Sequence, residues 1–251
     1  LRNGYTGSKK AVFLRQALIV FQFFMAIILI SGTISVYQQL QFLKAKESGV
    51  NKKNVLLIHT PNVGNQDIIG QRKAFKEEIK KFPFVKNVSY SSVIPGKHNM
   101  FNRGGVRRIS DEGTAGKNYR VTEVDHNFVD VYSTIFVAGR NFSEDYEAEA
   151  ASLIINLAAT ELLGFESAEA AINEKIYFEG LEKTIIGVME NFHQESPRLE
   201  FEPQIFRLPQ RYAGYFSVKF AEKTSLKEMQ NKIEQKYKEF FPGNPFDFIY
   251  M

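Results

Sequence analysis

The segment MENFHQES, Met189–Ser196, gathers side chains that can do chemistry. Glu190, His193 and Glu195 are close neighbours there, and Asp125-His126 offers a second carboxylate–imidazole pair. Brought together, they would form an oxygen and nitrogen donor set for a divalent metal, or a general acid–base pair. A polar loop following the apolar strand KTIIGVME accounts for the same residues without any ligand. AGRNFSED, Ala138–Asp145, is a second candidate loop. A glycine turn explains it, followed by a helix capped by Ser143 with Glu144 and Asp145 in the first turn. The histidines, His59, His98, His126 and His193, are far apart in sequence. The reading adopted is that the chain has no catalytic, cofactor-binding or metal-ligating residues.

Nucleotide chemistry lacks its motif. Gly96-Lys97 and Gly116-Lys117 miss both the upstream glycine and the following hydroxyl of a phosphate-binding loop. Neither H-E-x-x-H nor G-x-S-x-G occurs. With no Cys there is neither a disulfide nor a thiolate metal site. The formal net charge is only +4. The densest basic stretch, Lys97 to Arg120, is interrupted by Asp111 and Glu112 and reads as a solvated hairpin rather than a nucleic-acid surface.

The element most constrained by physics lies upstream. No charged residue occurs between Arg15 and Lys44, and ALIVFQFFMAIILISGTISVYQQL, Ala17–Leu40, is apolar nearly throughout. A helix of about 20 such residues rises about 30 Å, the thickness of a bilayer's hydrocarbon core. Lys9, Lys10 and Arg15 followed by Ser31, Gly32 and Thr33 also resemble a signal peptide. The pattern runs on as helix through SVYQQLQFLKAKESG, toward a C-cap at Gly49, which favours a membrane span with a stalk. Ser31-Gly32-Thr33 would let a second helix approach closely. Because the chain begins at Leu1, it is expected to be a segment of a longer protein.

Beyond the stalk the periodicities change. Asn54–Thr60 is a strand. Asp67–Phe82 is an amphipathic helix with Ile68, Ile69, Phe75 and Ile79 near one face. Val85–Ile94 alternates as a strand, and Val106–Ser110 and Tyr119–Val124 form two more around the DEGTAG turn. The C-terminal end reads strand Tyr215–Phe220, a helix from Ser225 with Glu228 as its capping box, then strand Pro245–Tyr250. The fold class is α+β. One N-terminal transmembrane helix with a stalk leads into a split βαβ, ferredoxin-like layer, interrupted by an inserted mostly-β subdomain. The expected divisions are residues 1–50 for the flank, span and stalk, 51–124 for the first half of the layer, 125–203 for the insert, and 204–251 for the second half.

The ordered motifs resemble an FtsX-like permease of the MacB type, in particular the long Bacteroidetes-style ABC transporter subunits. The stretches that carry the resemblance are the entry span from Leu14 to Ile58, AGRNFSED, SLIINLAATELLGFESAEAAINEKI, IIGVMENFHQESPRLEFEPQIF and PGNPFDFIYM. Three departures occur. The family usually has Asn-Glu at Asn156-Leu157, Gly at Asn173 and Asp-Phe-His at Asn191-Phe192-His193, so no carboxylate role attaches to 157 or 191. The resemblance implies a porter part built from βαβ units and an inserted sabre part. It implies a bacterial inner (cytoplasmic) membrane location with the domain in the periplasm. The implied role is non-catalytic: to couple ATP hydrolysis by a separate ABC ATPase subunit to periplasmic export or release by mechanotransmission. The alternative is a membrane-anchored periplasmic binding or regulatory module of FtsX type. Implied partners are that ATPase, the remaining transmembrane helices of the same permease and the lipid bilayer, with a homodimer and a periplasmic adaptor left open. Cofactors and nucleic acid are not among them.

This topology has a direct test, because the chain has no native Cys. Single cysteines replacing Ser8 and Ser225 should report it in cells with a permeabilised outer membrane. A membrane-impermeant thiol reagent is expected to label position 225 only. Labelling of position 8 alone reverses the orientation.

Overall fold

The computed structural model describes residues 9–45, 49–61, 67–111, 116–144, 147–194, 199–210 and 213–251. The chain divides into two compact units, residues 1–47 and 48–251. The first unit holds one helix, α1 (Lys9–Ala45). Every side chain from Ala11 to Gln39 is exposed, including Phe13, Phe21, Phe23, Phe24 and Leu29. Helical rise over those 29 residues gives about 44 Å, more than a bilayer core requires. Thr33 donates its hydroxyl to the Leu29 carbonyl at 2.8 Å, so this polar side chain is satisfied within the helix. Gly49 lies in the second unit with φ +74°, and a Cβ there would sit 2.8 Å from that of Phe192.

The second unit runs β1 (Val55–His59), α2 (Ile68–Lys80), β2 (Val85–Ser91), β3 (Asn102–Arg108), β4 (Lys117–Glu123), α3 (Phe128–Tyr132) and β5 (Phe136–Gly139). It continues through a 3₁₀ turn (Glu147–Ala151), β6 (Ser152–Asn156), α4 (Leu157–Leu163), α5 (Ala168–Ala171), β7 (Lys175–Phe178) and β8 (Leu181–Met189). Then come β9 (Gln204–Arg207), β10 (Tyr215–Phe220), α6 (Leu226–Phe240) and β11 (Phe248–Tyr250).

The first sheet has the order β11-β1-β10-β2, with all neighbours antiparallel. β1 and β10, expected in the two halves of one layer, share one sheet, paired from Val55–Lys219 to His59–Tyr215. VLLIH lacks the polar alternation of a half-solvated strand because β1 is buried on both faces. Leu56 and Ile58 pack with Phe75 and Ile79 of α2 and Met229, Ile233 and Tyr237 of α6. Phe75 sits centrally, with ring contacts to Phe216, Tyr237 and Phe241 at 5.3–5.6 Å. Truncating such a ring to Ala costs about 3–5 kcal/mol. Asp67 caps α2, its Oδ1 accepting from the Gly70 amide at 3.0 Å. Ser225 occupies the cap position of α6 but makes no side-chain cap bond, and Glu228 instead pairs with Lys232 at 2.7 Å. The expected capping box is not formed.

The opposite residues of β1, Val55 and Leu57, face a second core built from α3 and the other sheet: Val124, Ile154, Ile186, Met189 and Phe206. That sheet has the order β5-β8-β6-β9-β4-β3-β7, and β7 also pairs with β8, closing β8-β6-β9-β4-β3-β7 into a ring. Val106, Tyr119, Val121, Leu153, Ile155, Ile176, Ile185 and Ile205 share a third core with α4 and α5. Sheet membership departs here from the sequence reading. β3 and β4, grouped with the first half, and β9, grouped with the second, belong to this sheet. The cause is the parallel pairing of β4 with β9, Arg120–Gln204 to Glu123–Arg207, a contact between strands distant in sequence. A hairpin pattern shows that β3 pairs with β4 but not which sheet receives the hairpin. Among the described residues, the Ser91–Val124 bridge is what pairs β2 with the chain end of β4.

Asp125 lies at that seam and is 2% exposed. Its carboxylate accepts from Lys76 Nζ at 2.6 Å, Ser89 Oγ at 2.8 Å, the Tyr90 amide at 2.9 Å and the Asn127 amide at 3.2 Å. Lys76 is 5% exposed. Removing one partner of a buried ion pair leaves an uncompensated charge and costs about 3–5 kcal/mol. Lys76→Met should therefore lower unfolding stability by about 3 kcal/mol. Pairing it with Asp125→Asn should recover part of that loss. Urea unfolding followed by circular dichroism of the single and double variants measures the coupling. Additive losses in the double variant would show the pair to be energetically inert.

Candidate functional site

Of the five residues that sequence proximity singled out, the four that are described do not form one site. Asp125 is saturated by the four donors described above, leaving no lone pair for a metal or substrate. His126 turns to Glu144, Nδ1 to Oε1 at 3.3 Å, with the glutamate in solvent. His193 is 8% exposed and stacks on Phe201 with ring centroids 4.3 Å apart. Glu190 is exposed, its amide donating to the Ile135 carbonyl at 2.9 Å. Glu195 lies outside the described residues. Among the described residues, no group of three or more His, Cys, Asp or Glu side chains is placed to hold a metal ion. His59 is also engaged, 3.5 Å from Asp247 and 4.3 Å from the Tyr215 ring centroid.

The AGRNFSED loop serves packing. Gly139 has φ +74°, and a Cβ there would meet the Ile186 carbonyl at 2.2 Å, so the close approach of β5 to β8 requires glycine. Arg140 pairs with the buried Glu149 at 2.5 Å, and Asn141 Nδ2 donates to the His126 carbonyl at 2.7 Å. Ser143 opens no α-helix: a turn at Glu144 and the 3₁₀ turn Glu147–Ala151 follow, with Asp145 outside the described residues.

Two residues with structural reach escaped the reading of function. Asn156 caps α4 by accepting from the Ala159 amide at 2.9 Å, and the same Oδ1 accepts from the Gln204 amide at 2.9 Å. Its Nδ2 donates to the Glu202 carbonyl at 2.8 Å. An asparagine immediately before the helical run LAATELL carried that signal. Glu179 stands at the β7–β8 turn with φ +53° and receives Arg103 at 2.7 Å and Arg207 at 2.6 Å, while Arg207 also reaches Glu123 at 2.9 Å. The two arginines hold its carboxyl below the usual range although burial opposes them. No local pattern announces that chain of charges.

The three departures from the family pattern have plain local explanations. Asn173 has φ +65°, a left-handed position that suits glycine and that asparagine tolerates. Asn191 Oδ1 accepts from the Ala158 amide at 3.0 Å, so an amide serves the first turn of α4 where the family usually has a carboxylate. Leu157 opens that same helix. The basic stretch is likewise drawn into the fold: Arg107 lies over the Tyr177 ring, Arg108 over Phe165, and Arg120 pairs with Glu202 at 2.9 Å.

The geometry thus describes a membrane-length helix joined in sequence to a two-sheet domain whose polar groups are mostly turned to structural use. Comparison with known proteins agrees. The family model of the MacB-like periplasmic core domain matches residues 20–236. No curated protein matches the chain. Among solved structures, the periplasmic region of MacB from Actinobacillus actinomycetemcomitans superposes with a TM-score of 0.57 at 12% identity, covering 82% of this chain and 92% of that one. The extracellular domain of the noncanonical ABC-type transporter YknZ from Gram-positive bacteria gives 0.53 at 14%, covering 78% and 98%. A permease-protein domain from Porphyromonas gingivalis gives 0.56 at 10%, covering 80% and 91%. At these identities the structural likeness speaks for the fold. The family match, which spans most of the chain, goes further, and it is to a family of non-catalytic transporter domains. On that ground the chain belongs to the MacB-like periplasmic core domain family of ABC transporter permeases.

Proposed function

We propose that this chain is the extracytoplasmic segment of an ABC transporter permease that transmits cytoplasmic ATP hydrolysis mechanically to a periplasmic export or release step. The observation that carries the reading is the order of parts: a helix of membrane length, Lys9–Ala45, precedes a MacB-like domain in the sequence. The ATPase is a separate subunit, and the remaining transmembrane helices belong to the same permease. The anchor lies in the bacterial inner membrane and the domain in the periplasm. In this reading the domain works by moving, without a catalytic residue, metal or cofactor.

The porter-type layer corresponds to the first sheet with α2 and α6. Its order β11-β1-β10-β2 and its two β-α-β halves support a split, ferredoxin-like arrangement. The sabre-type insert corresponds to the ring sheet. It runs from after β2 to before β10, wider than residues 125–203.

Transmission needs stiffness between membrane and domain. From Ser35 to Ala45 α1 is unbroken, with no Gly or Pro, and its Gln, Leu, Lys and Ala residues are good helix formers. A continuous helix carries displacement at about 1.5 Å per residue, whereas a Gly-Ser segment behaves as a coil and absorbs it. The test inserts Gly-Gly-Ser-Gly after Glu47, which lies outside the described residues. Membrane insertion, domain folding and the partner's ATP hydrolysis should persist while export or release is lost. ATPase rate and transport output, measured on the same variant, decide the matter. Output that survives the insertion makes the domain a passively tethered binding or regulatory module of FtsX type instead.

A further inference from the structure

Two buried hydrogen-bond donors without acceptors belong to residues that line one small cavity of about 30 Å³, formed at β3, β4 and the C-terminal end of α4. Tyr119 is 1% exposed and its hydroxyl has no partner. The Nε–H of Arg108, another lining residue, is buried and equally unpaired. A guanidinium Nε–H can only donate, and burial pushes the Tyr119 phenol up, so that group keeps its proton as well. Two carbonyls at the end of α4 accept from other donors. Leu162 accepts from Lys117 Nζ at 2.5 Å, and Gly164 accepts from another nitrogen of Arg108 at 3.3 Å. Among the described residues, three cations, Arg107, Arg108 and Lys117, line the space with one carboxylate, Asp111, which is engaged by Ser110 at 3.2 Å.

Buried donors are rarely left unpaired, and what is missing here is an acceptor carrying negative charge. We propose that the cavity is an oxyanion site: one oxygen of a carboxylate or phosphate group enters it and accepts from Tyr119 Oη and Arg108 Nε. Lys117 and Arg107 then balance the charge. The volume admits an oxygen and not a bulky ligand, so the site recognises an end group while the rest of the molecule stays outside. The aromatic rings of Tyr177 and Phe165, under Arg107 and Arg108 at 4.7 Å each, hold both guanidinium planes in place before the anion arrives.

The experiment uses the full chain in uncharged detergent micelles. Inorganic phosphate and, separately, acetate replace chloride at constant ionic strength, and the Arg108 Nε–Hε signal is followed by ¹⁵N NMR. A saturable shift with phosphate, with acetate or with both supports the site and identifies the group it prefers. Tyr119→Phe keeps the ring and removes only the hydroxyl, and it should weaken binding roughly tenfold, the worth of one hydrogen bond to a charged group. Arg108→Lys, which moves the donor, should lose the thermal stabilisation by the same anion, read by circular dichroism. Absence of a saturable response to either anion in the wild-type chain overturns the proposal, as does unchanged affinity in Tyr119→Phe. Either result leaves the cavity to water.

Discussion

Asp125 brings four donors to one carboxylate in a place water does not reach, and those donors come from α2, β2 and the entry to α3. Burying a carboxylate is expensive, and the attraction of Lys76 at 2.6 Å offsets that cost only because every other lone pair is also used. Charge pairs of this sort add little net stability over an apolar substitute. What they add is geometry, because only one arrangement of the three elements satisfies the charge. β2 is an edge strand of the first sheet. Its Tyr90 amide donates to Asp125 Oδ2, and its Tyr90 carbonyl accepts from the Asp125 amide at 3.2 Å. The residue therefore covers an edge that would otherwise be open to pairing with another chain.

With the seam set at Asp125, the distribution of apolar residues follows. β1 is shared between two cores, Leu56 and Ile58 serving the helices and Val55 and Leu57 serving the second sheet. Tyr132 of α3 reaches across to Ser217 of β10 at 2.8 Å, so both buried hydroxyls are satisfied there. In the ring sheet, closure leaves few open edges, and the Arg103–Glu179–Arg207–Glu123 chain ties β3, the β7–β8 turn, β9 and β4 together.

What could be read from the sequence was what depends on neighbours in the chain. The uncharged run between Arg15 and Lys44 announces α1, and four-residue spacing announces Met229, Ile233 and Tyr237 as the buried face of α6. The placement of β3, β4 and β9 was not legible, because parallel pairing of β4 with β9 leaves no turn signature. Asp125 was noticed for its chemistry, and its place in a buried ion pair was not legible. Its decisive partner, Lys76, is 49 residues upstream, on a helix whose polar positions look solvent-facing. The same limit applies to Tyr119, an ordinary strand residue by pattern, whose unpaired hydroxyl emerges only when β3, β4 and α4 meet.

The register of the first sheet bears on how such a domain can transmit force. β1 is the first strand after α1 in the sequence, and it is hydrogen-bonded on both sides, to β10 and to β11. Antiparallel hydrogen bonds lie perpendicular to the strands, so a load directed along β1 strains its whole ladder at once rather than bond by bond. β11 closes the described chain beside it, with the Met251 amide donating to the Val55 carbonyl at 3.0 Å. β1 and β11 are thus bonded neighbours, and neither can be displaced along its axis without the other. The Lys76–Asp125 seam then links that pair's sheet to the ring sheet through a buried ion pair whose carboxylate also holds Ser89, Tyr90 and Asn127. In the mechanical reading of function, the domain answers a displacement of its stalk as one body because sheet register and buried charge both oppose internal slippage.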